Sequence, residues 1–297
     1  MIREQGKPKI RGRVNMHNEQ VVGLTDSEIQ EYWQDGFLVF NDIISQEEVE
    51  ELRQACEKPQ ILALRSQQDY ETKTVHALGI TSLHPIFLKL AKHPAIVEKI
   101  KPLLGPDIQL QHSKLATKPP SRGVGVFPWH QDYAFYPHTN TDLLSVMIML
   151  DDATPENGCM SMTKGSHKLG ILNHEVNGRF VAACQESKYW TNPAYEVVDI
   201  TPRAGGISIH HALTLHGSEA NLSGKPRRGI VFSYRSDDAQ QLADNTFDDT
   251  GLLICGSNHG VVRCDVGLVK LPNRGGDTPF GSIWNQIGSF AAVENKK

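Results

Sequence analysis

Residues 129–150, WHQDYAFYPHTNTDLLSVMIML, join a candidate metal-binding pattern to an apolar strand. The run at 143–150 consists almost entirely of large aliphatic residues, which is typical of a buried β-strand. His130 and Asp132 stand two positions apart, and such side chains point to the same side of a strand. Both can therefore reach one ion near a strand end, so this stretch predicts a β-rich core that carries metal ligands.

Neighbouring segments on both sides of this stretch predict further strands. Alternating or apolar patterns occur at 108–118, 206–215 and 229–234, and Gly- and Pro-containing turn signals separate them. A set of short strands with turns between them is typical of a β-sandwich or a jelly roll. We therefore expect the middle of the chain to form such a core.

The N-terminal third has helical patterns instead. A capping-box sequence precedes a predicted helix at 27–34, and a short apolar strand pattern follows at 37–40. Ser45 begins a second predicted helix, and a further helical region covers about 84–104. The sequence therefore predicts a mainly β fold with flanking helices.

These patterns divide the chain into a flexible arm and one domain. The arm covers 1–24, which shows no apolar periodicity, and the domain covers 25–297. Within the domain we expect a helical section at 25–106, a jelly-roll core at about 107–236 and an irregular section at 237–297.

Composition and charge exclude several classes of partner. The chain has 297 residues, 39% of them hydrophobic, with a net charge of -4 and a pI near 6.3. This balance gives no electrostatic footprint for nucleic acid or an anionic membrane, and no apolar run approaches the ~20 residues that span a bilayer. Five scattered cysteines argue against a disulfide framework. We expect a cytoplasmic protein with a small-molecule partner and leave its oligomeric state open.

A second imidazole is needed to complete two histidines and one carboxylate. That ligand set leaves three positions open on a ferrous ion, enough for a bidentate co-substrate and O₂. Three histidines lie close together in the sequence and could supply it: His210, His211 and His216. The residues that follow the third of them favour His216.

Those residues include an arginine suited to a dicarboxylate. If 207–218 and 227–235 are consecutive strands, the turn between them brings Arg227 back near His216. A guanidinium can hold a carboxylate with two parallel, charge-assisted hydrogen bonds. Ser218 shares a face with His216 and can donate to the same carboxylate. This arrangement selects His216 over its two neighbours.

Three ordered segments resemble the phytanoyl-CoA dioxygenase family of iron- and 2-oxoglutarate-dependent oxygenases. They are 24–53, 129–170 and 216–235. The resemblance implies a double-stranded β-helix core, that is, a jelly-roll, cupin-like core. It also implies that His130, Asp132 and His216 bind the iron, while Arg227 binds the 5-carboxylate of 2-oxoglutarate.

The resemblance suggests further contacts around this site. Ser218 would assist the arginine, and the strand before the first histidine would offer His112 and Lys114, which share a face, to the co-substrate. Phytanoyl-CoA hydroxylase has a tryptophan where Ile148 stands here, so the resemblance implies no aromatic wall beside the co-substrate.

Three aromatic residues directly follow the His-x-Asp pattern. If the strand continues past it, Tyr133 and Phe135 face one side and Tyr136 the other. All three are candidates to contact the substrate, and core packing explains them equally well.

The implied activity is that of an Fe(II)- and 2-oxoglutarate-dependent dioxygenase. Such an enzyme uses O₂ to hydroxylate a small organic metabolite and releases succinate and CO₂. One alternative is the same iron chemistry on an acyl-CoA thioester. Another, from a different class, is a non-oxidative, cupin-like metal-binding isomerase or ligand binder, which has no need of an arginine for 2-oxoglutarate.

Overall fold

The computed structural model describes residues 22–64 and 73–272. Of the expected arm, only 22–24 fall within these ranges. The last part of the section at 237–297 also lies outside the described residues.

Helices occur mainly before residue 105 and are short. Capping boxes at Thr25 and Ser45 begin the first two helices, as the sequence predicts. The region expected at about 84–104 forms two helices rather than one, because a residue before proline disfavours helical backbone and His93 precedes Pro94. In chain order the helices are α1 (Asp26–Asp35), α2 (Gln46–Cys56), α3 (Pro59–Leu62), α4 (Ile80–Leu83), α5 (Pro85–Ala91), α6 (Pro94–Leu104) and α7 (Lys188–Thr191).

The described ranges also contain thirteen strands and three short 3-10 helices. The strands are β1 (Phe37–Phe40), β2 (Val75–Leu78), β3 (Ile108–Lys118), β4 (Phe127–His130), β5 (Leu143–Met149), β6 (Met160–Thr163), β7 (Glu175–Val176), β8 (Arg179–Phe180), β9 (Val197–Ile200), β10 (Ile207–His211), β11 (His216–Ser218), β12 (Arg227–Ser236) and β13 (Leu253–Cys255).

All neighbouring strands pair antiparallel, in two main sheets and one hairpin. The large sheet has the order β1-β10-β5-β12-β3-β13, with β2 also paired to β3. The small sheet has the order β4-β11-β6-β9, and β7 pairs with β8. The mainly β architecture with flanking helices is therefore confirmed. The division at residue 106 is less sharp than expected, because β1 and β2 from the helical section join the large sheet.

The two faces of the large sheet have different surroundings. Val146 and Ile148 on β5 point into the main apolar core, which also contains residues of the helices. Met147 and Met149 alternate with these two residues along the strand. They therefore point to the opposite face, towards the small sheet. Helices thus cover one face of the large sheet, and the other face is left to form an interior site.

The strand expected at 206–215 ends early, and this changes how the two sheets connect. β10 stops at His211, whose ring Nδ1 accepts a hydrogen bond from the backbone N–H of Leu213 and whose carbonyl accepts one from Thr214. The chain then crosses to the small sheet, where β11 begins. Residues 207–218 are therefore not one strand, and β11 and β12 are not a hairpin. They belong to different sheets and face each other across the interior.

The described part of the C-terminal section is largely loop. β13 pairs with β3 at the sheet edge. The Arg263 side chain forms ion pairs with Asp142 and Asp238, which fix this segment to the end of β12 and the loop before β5. Among the helices that the structure describes, none has the length and apolar character required to span a membrane.

A candidate metal centre between the two sheets

Three side chains of the small-sheet side converge on one point. His130 is the last residue of β4, Asp132 begins the short 3-10 turn that follows, and His216 is the first residue of β11. β4 and β11 pair with His130 opposite His216, so the two imidazole centroids are 4.1 Å apart. One ligand atom from each of the three residues lies within 4.8 Å of the others. The side chains are 3%, 5% and 7% exposed.

The remaining contacts of the two histidines leave one nitrogen of each ring facing the centre. Nδ1 of His130 lies 2.8 Å from the carbonyl oxygen of Pro128, and Nδ1 of His216 lies 2.9 Å from that of Thr214. A carbonyl can only accept, so each Nδ1 carries a proton, and in the neutral ring this leaves the Nε2 lone pair for a metal. This is the tautomer that a metal ion requires.

The electrostatics of the three groups also suit a divalent cation. Burial disfavours the charged carboxylate, but ring contacts from His130 and His210, followed by the charge of Lys114, keep the pKa of Asp132 well below its ordinary value. Burial, reinforced by the neighbouring His130 and His210, holds the pKa of His216 well below its ordinary value. An anionic carboxylate and neutral imidazoles are the protonation states in which such groups bind metals.

The two other histidines considered from the sequence have different surroundings. The His211 ring lies on the far side of β10, near Tyr32 and His167. The His210 ring is beside the centre, with Nε2 3.4 Å from Oδ2 of Asp132, but neither of its nitrogens forms a well-aligned hydrogen bond. Of the three, His216 is the one whose nitrogen joins the cluster.

A chain of hydrogen-bonded hydroxyl groups ends at Oδ2 of Asp132. Ser145 on β5 donates to Oδ2 over 2.7 Å, and the hydroxyl of Ser233 on β12 lies 2.8 Å from that of Ser145. His112 Nε2 and the Tyr136 hydroxyl each lie 3.3 Å from the Ser233 hydroxyl. Because Oδ2 is engaged in this way, Oδ1 is the carboxylate oxygen left for a metal.

Because Ser145 orients Asp132 through this hydrogen bond, we expect Ser145→Ala to weaken metal binding. Loss of the hydrogen bond frees Oδ2, and outer hydrogen bonds of this kind contribute about 10- to 100-fold in affinity. We expect about a tenfold weaker affinity for Co(II), measured by competition with a chelator, with a folded protein. Ser161→Ala, which removes an exposed hydroxyl bonded to Asp199, is the matched control. Equal affinities in both variants would show that Ser145 does not orient the carboxylate.

The centre opens into a cavity between the two sheets, whose empty space is about 510 Å³ with its open mouth included. Residues of the large sheet form one wall, residues of the small sheet form the other, and Thr74 lies just before β2. Polar members of the lining besides the three converging residues are Thr74, His76, Lys114, His210, Ser218 and Arg227; the apolar members include Phe127, Met147, Met160 and Val231.

Arg227 reaches this cavity from the first position of β12. It is 4% exposed; Nη1 donates to the carbonyl of Gly158, and Nε has no partner. Burial lowers its pKa to about 10, so it stays charged at neutral pH. Arg228 points the other way and forms an ion pair with Asp151. Only one of the two adjacent arginines faces the cavity, as alternation along a strand requires.

The other residues predicted from the sequence have three different placements. Ser218 and Lys114 line the cavity with Arg227, whereas His112 lies behind it in the hydroxyl chain. Tyr133, Phe135 and Tyr136 pack in a buried cluster and are not among the lining residues. They do not alternate as on a strand, because Asp132–Ala134 is a 3-10 turn. Contact of these aromatic residues with a substrate stays a prediction.

The position of Ile148 differs from the one that the resemblance implies, although the predicted absence of an aromatic wall at this strand is not contradicted. Ile148 is on the face of β5 that packs into the main core, so it cannot form a wall of the cavity. Met147 faces the cavity at the adjacent position. The residue beside any co-substrate at this strand is therefore a methionine.

Several buried polar residues that position the ligands were not recognised in the sequence. Gln131 donates to the carbonyls of Gly170 and Leu213, and its amide oxygen accepts from the backbone of Leu172. His138 Nε2 lies 2.9 Å from Oε1 of Gln111. Their positions beside the His-x-Asp pattern were visible in the sequence, but their complete burial was not.

Comparisons with known proteins show the family to which the chain belongs. The family model described as "Phytanoyl-CoA dioxygenase (PhyH)" matches residues 32–229. A "probable alpha-ketoglutarate-dependent hypophosphite dioxygenase" of Stutzerimonas stutzeri is 32% identical over 262 residues, which is 82% of this chain and 89% of that protein. An L-proline trans-4-hydroxylase of Streptomyces griseoviridis is 26% identical over 237 residues, which is 71% of this chain and 86% of that protein.

A solved structure is similar as well. The chain aligns with the non-heme alpha-ketoglutarate-dependent carbocyclase SnoK from nogalamycin biosynthesis with a TM-score of 0.61 and 25% identity. The alignment covers 73% of this chain and 85% of that one.

Proposed function

Because the chain belongs to the phytanoyl-CoA dioxygenase family and is thus an Fe(II)- and 2-oxoglutarate-dependent dioxygenase, we propose that His130, Asp132 and His216 hold its iron. The observation that carries this proposal is the convergence of three buried ligand atoms at one end of a cavity that also contains an arginine. Two neutral imidazoles and a carboxylate suit ferrous iron and leave positions for other ligands.

The remaining residues of the cavity bind and orient the co-substrate. Arg227, with its unpartnered Nε, and Ser218 hold the distal carboxylate of 2-oxoglutarate. Lys114 contributes a positive charge nearer the iron, since it lines the cavity and forms no ion pair with any described acidic residue. His112 acts through Ser233 and Ser145 and helps to hold Asp132 in place.

When bound, the iron supplies the reaction of O₂ with 2-oxoglutarate, which yields succinate and CO₂ and oxidises the substrate. The protein places this reaction in the space between the two sheets. The imidazole N–H groups of His130 and His216 stay on backbone carbonyls, and Ser145 stays on Asp132, so the ligand geometry is fixed before any co-substrate arrives.

The double-stranded β-helix, or jelly roll, is the arrangement that best accounts for two antiparallel sheets facing each other around this centre. We propose that residues 25–297 act as one oxygenase domain with this core. The site needs both sheets, because the iron ligands come from the small sheet and Arg227 and Lys114 come from the large one.

The substrate is a small organic metabolite, and hydroxylation is the reaction. Support comes from the modest volume of the cavity and from relatives that act on small molecules, such as the proline hydroxylase. The hypophosphite dioxygenase widens the range of compounds worth testing to small anions, which the cationic side chain of Lys114 would suit.

The proposed activity is tested by succinate release. Protein loaded with Fe(II) under anaerobic conditions is mixed with 2-oxoglutarate, O₂ and a panel that includes L-proline, ectoine, hypophosphite and a short acyl-CoA. We expect one class of small molecule to raise succinate formation above the substrate-free rate by about tenfold or more. Acceleration by the acyl-CoA alone would favour the thioester alternative. Binding of metal without any succinate would contradict the oxygenase assignment.

A further inference from the structure

A second buried cation lies directly beside Arg227. Lys118 is the last residue of β3, and the strand pairing places its Cα opposite that of Arg227 on β12. Residues paired in this way point to the same face, with Cβ atoms about 5 Å apart. Lys118 is 0% exposed, and Arg227 is 4% exposed. Two basic side chains thus lie side by side, with Arg227 in the lining of the cavity and Lys118 next to it.

Neither of these cations has an acidic partner in the parts of the chain that the structure describes. The Lys118 ammonium donates to the backbone carbonyls of Gly125 and Glu219, which are neutral. Arg227 donates to the carbonyl of Gly158. Like charges placed opposite each other on neighbouring strands are unfavourable, and burial without a counter-ion adds to the cost. The arrangement is therefore matched to an anion that enters from the cavity.

The glycine between the two cations leaves room for this arrangement. Gly158 has a φ of +68°, and a Cβ at this position would lie 3.1 Å from Nζ of Lys118. Its carbonyl is the one that Arg227 binds. A side chain here would crowd the Lys118 ammonium. The absence of one in the turn before β6 allows Lys118 and Arg227 to lie on either side of the same backbone segment.

We propose that Lys118 and Arg227 together form a two-cation site for the distal carboxylate of 2-oxoglutarate, and that Lys118 takes up a proton from solvent when this carboxylate binds. The inference rests on the proposed function. Arg227 contacts the carboxylate, whereas Lys118 is a positioning residue that acts through its charge, because it does not itself line the cavity.

The charge state of Lys118 determines how the affinity for 2-oxoglutarate depends on pH. Burial, followed by the charge of Arg227, lowers the pKa of Lys118 to about 7, so the group is only partly protonated at neutral pH. The other titratable groups that face it are Glu219, after β11, and Cys159, whose pKa burial raises to about 11. An incoming carboxylate favours the protonated lysine. Affinity for 2-oxoglutarate should therefore be highest below pH 7 and fall as the pH rises above it.

The test is calorimetric titration of the full-length protein, saturated with Ni(II), with 2-oxoglutarate between pH 7 and 9. Titrations in buffers of different ionisation enthalpy give the number of protons taken up. We expect wild-type protein to take up a fraction of a proton near pH 7.5 and to lose about tenfold in affinity across this range. Lys118→Met should bind about tenfold more weakly at pH 7 and show neither proton uptake nor the pH slope.

Lys225→Met is the matched control, because Lys225 is exposed in the turn before β12. It should behave as wild type. A flat pH profile without proton uptake in the wild-type protein would overturn the role of Lys118 while leaving 2-oxoglutarate binding intact. This wild-type result needs no substitution, so it remains decisive if Lys118→Met does not fold. Absence of 2-oxoglutarate binding at every pH would instead contradict the proposed function itself.

Discussion

Replacing Asp132 with alanine should abolish succinate formation by removing the iron. The carboxylate supplies the only negative charge of the three-residue cluster, and the Ser145 hydroxyl donates a hydrogen bond to it in the buried interior. Outer hydrogen bonds to such ligands are worth about 10- to 100-fold in affinity, so loss of the ligand itself should cost more than about a hundredfold. Steady-state succinate formation and iron content after gel filtration measure the two effects.

Asp199→Ala is a suitable control for this variant. Asp199 is an exposed carboxylate on β9 that binds the Ser161 hydroxyl, so its loss should leave iron content and succinate formation unchanged. Far-ultraviolet circular dichroism of the Asp132→Ala protein checks that the fold persists. Retention of one iron and normal turnover by Asp132→Ala would remove Asp132 from the ligand set.

Replacing Arg227 with alanine should raise the KM for 2-oxoglutarate and leave iron binding intact. Arg227 stands at the start of β12, six residues before Ser233, whose hydroxyl is linked through Ser145 to Asp132. Charge-assisted contacts of its guanidinium to a carboxylate contribute about 3 kcal/mol. This corresponds to about a hundredfold increase in KM, with a much smaller change in kcat at saturating 2-oxoglutarate.

Arg228→Ala provides the comparison on the same strand. Arg228 faces away from the cavity and pairs with Asp151, so its removal should affect stability slightly and leave the KM unchanged. Arg227→Lys keeps the charge without the planar fork and should give an intermediate KM. Equal loss of iron in the Arg227→Ala and Asp132→Ala variants would show that the two residues do not have separate roles.

Local patterns in the sequence were sufficient for the longer helices and strands, whereas short elements such as β2, β9 and α7 were not predicted. The capping boxes at Thr25 and Ser45 fix the starts of two helices through contacts only three residues apart. The alternation in 108–118 matches β3 to its end residues. These features depend on neighbours in the chain, and such short-range physics can be read from a single sequence.

Long-range pairing could not be derived in the same way. A single strand over 207–218 fitted the pattern, but a crossing to the other sheet follows His211, and only tertiary pairing decides this. β11 therefore reaches His130 through the small sheet, and Arg227 approaches from the large sheet rather than through a hairpin. The two residues still meet in one cavity, although the route inferred from the sequence was wrong.

Burial of polar residues was the other feature that the sequence could not show. Gln131 and His138 are polar residues that usually lie at the surface, yet both are fully buried and hydrogen-bonded around the ligand loop. Lys118 is also buried, although the sequence around it predicts an ordinary residue at the end of a strand, next to a turn. Its significance depends on the opposite residue of β12, which the sequence alone did not reveal.

The most direct test of the central claim is anomalous diffraction at the iron edge from crystals grown anaerobically with Fe(II) and 2-oxoglutarate. We expect one peak per chain in the space between Nε2 of His130, Oδ1 of Asp132 and Nε2 of His216. We also expect density for a dicarboxylate that extends from this peak to Arg227. A peak at any other group of residues, or a dicarboxylate that does not reach Arg227, would contradict the proposed iron and 2-oxoglutarate sites.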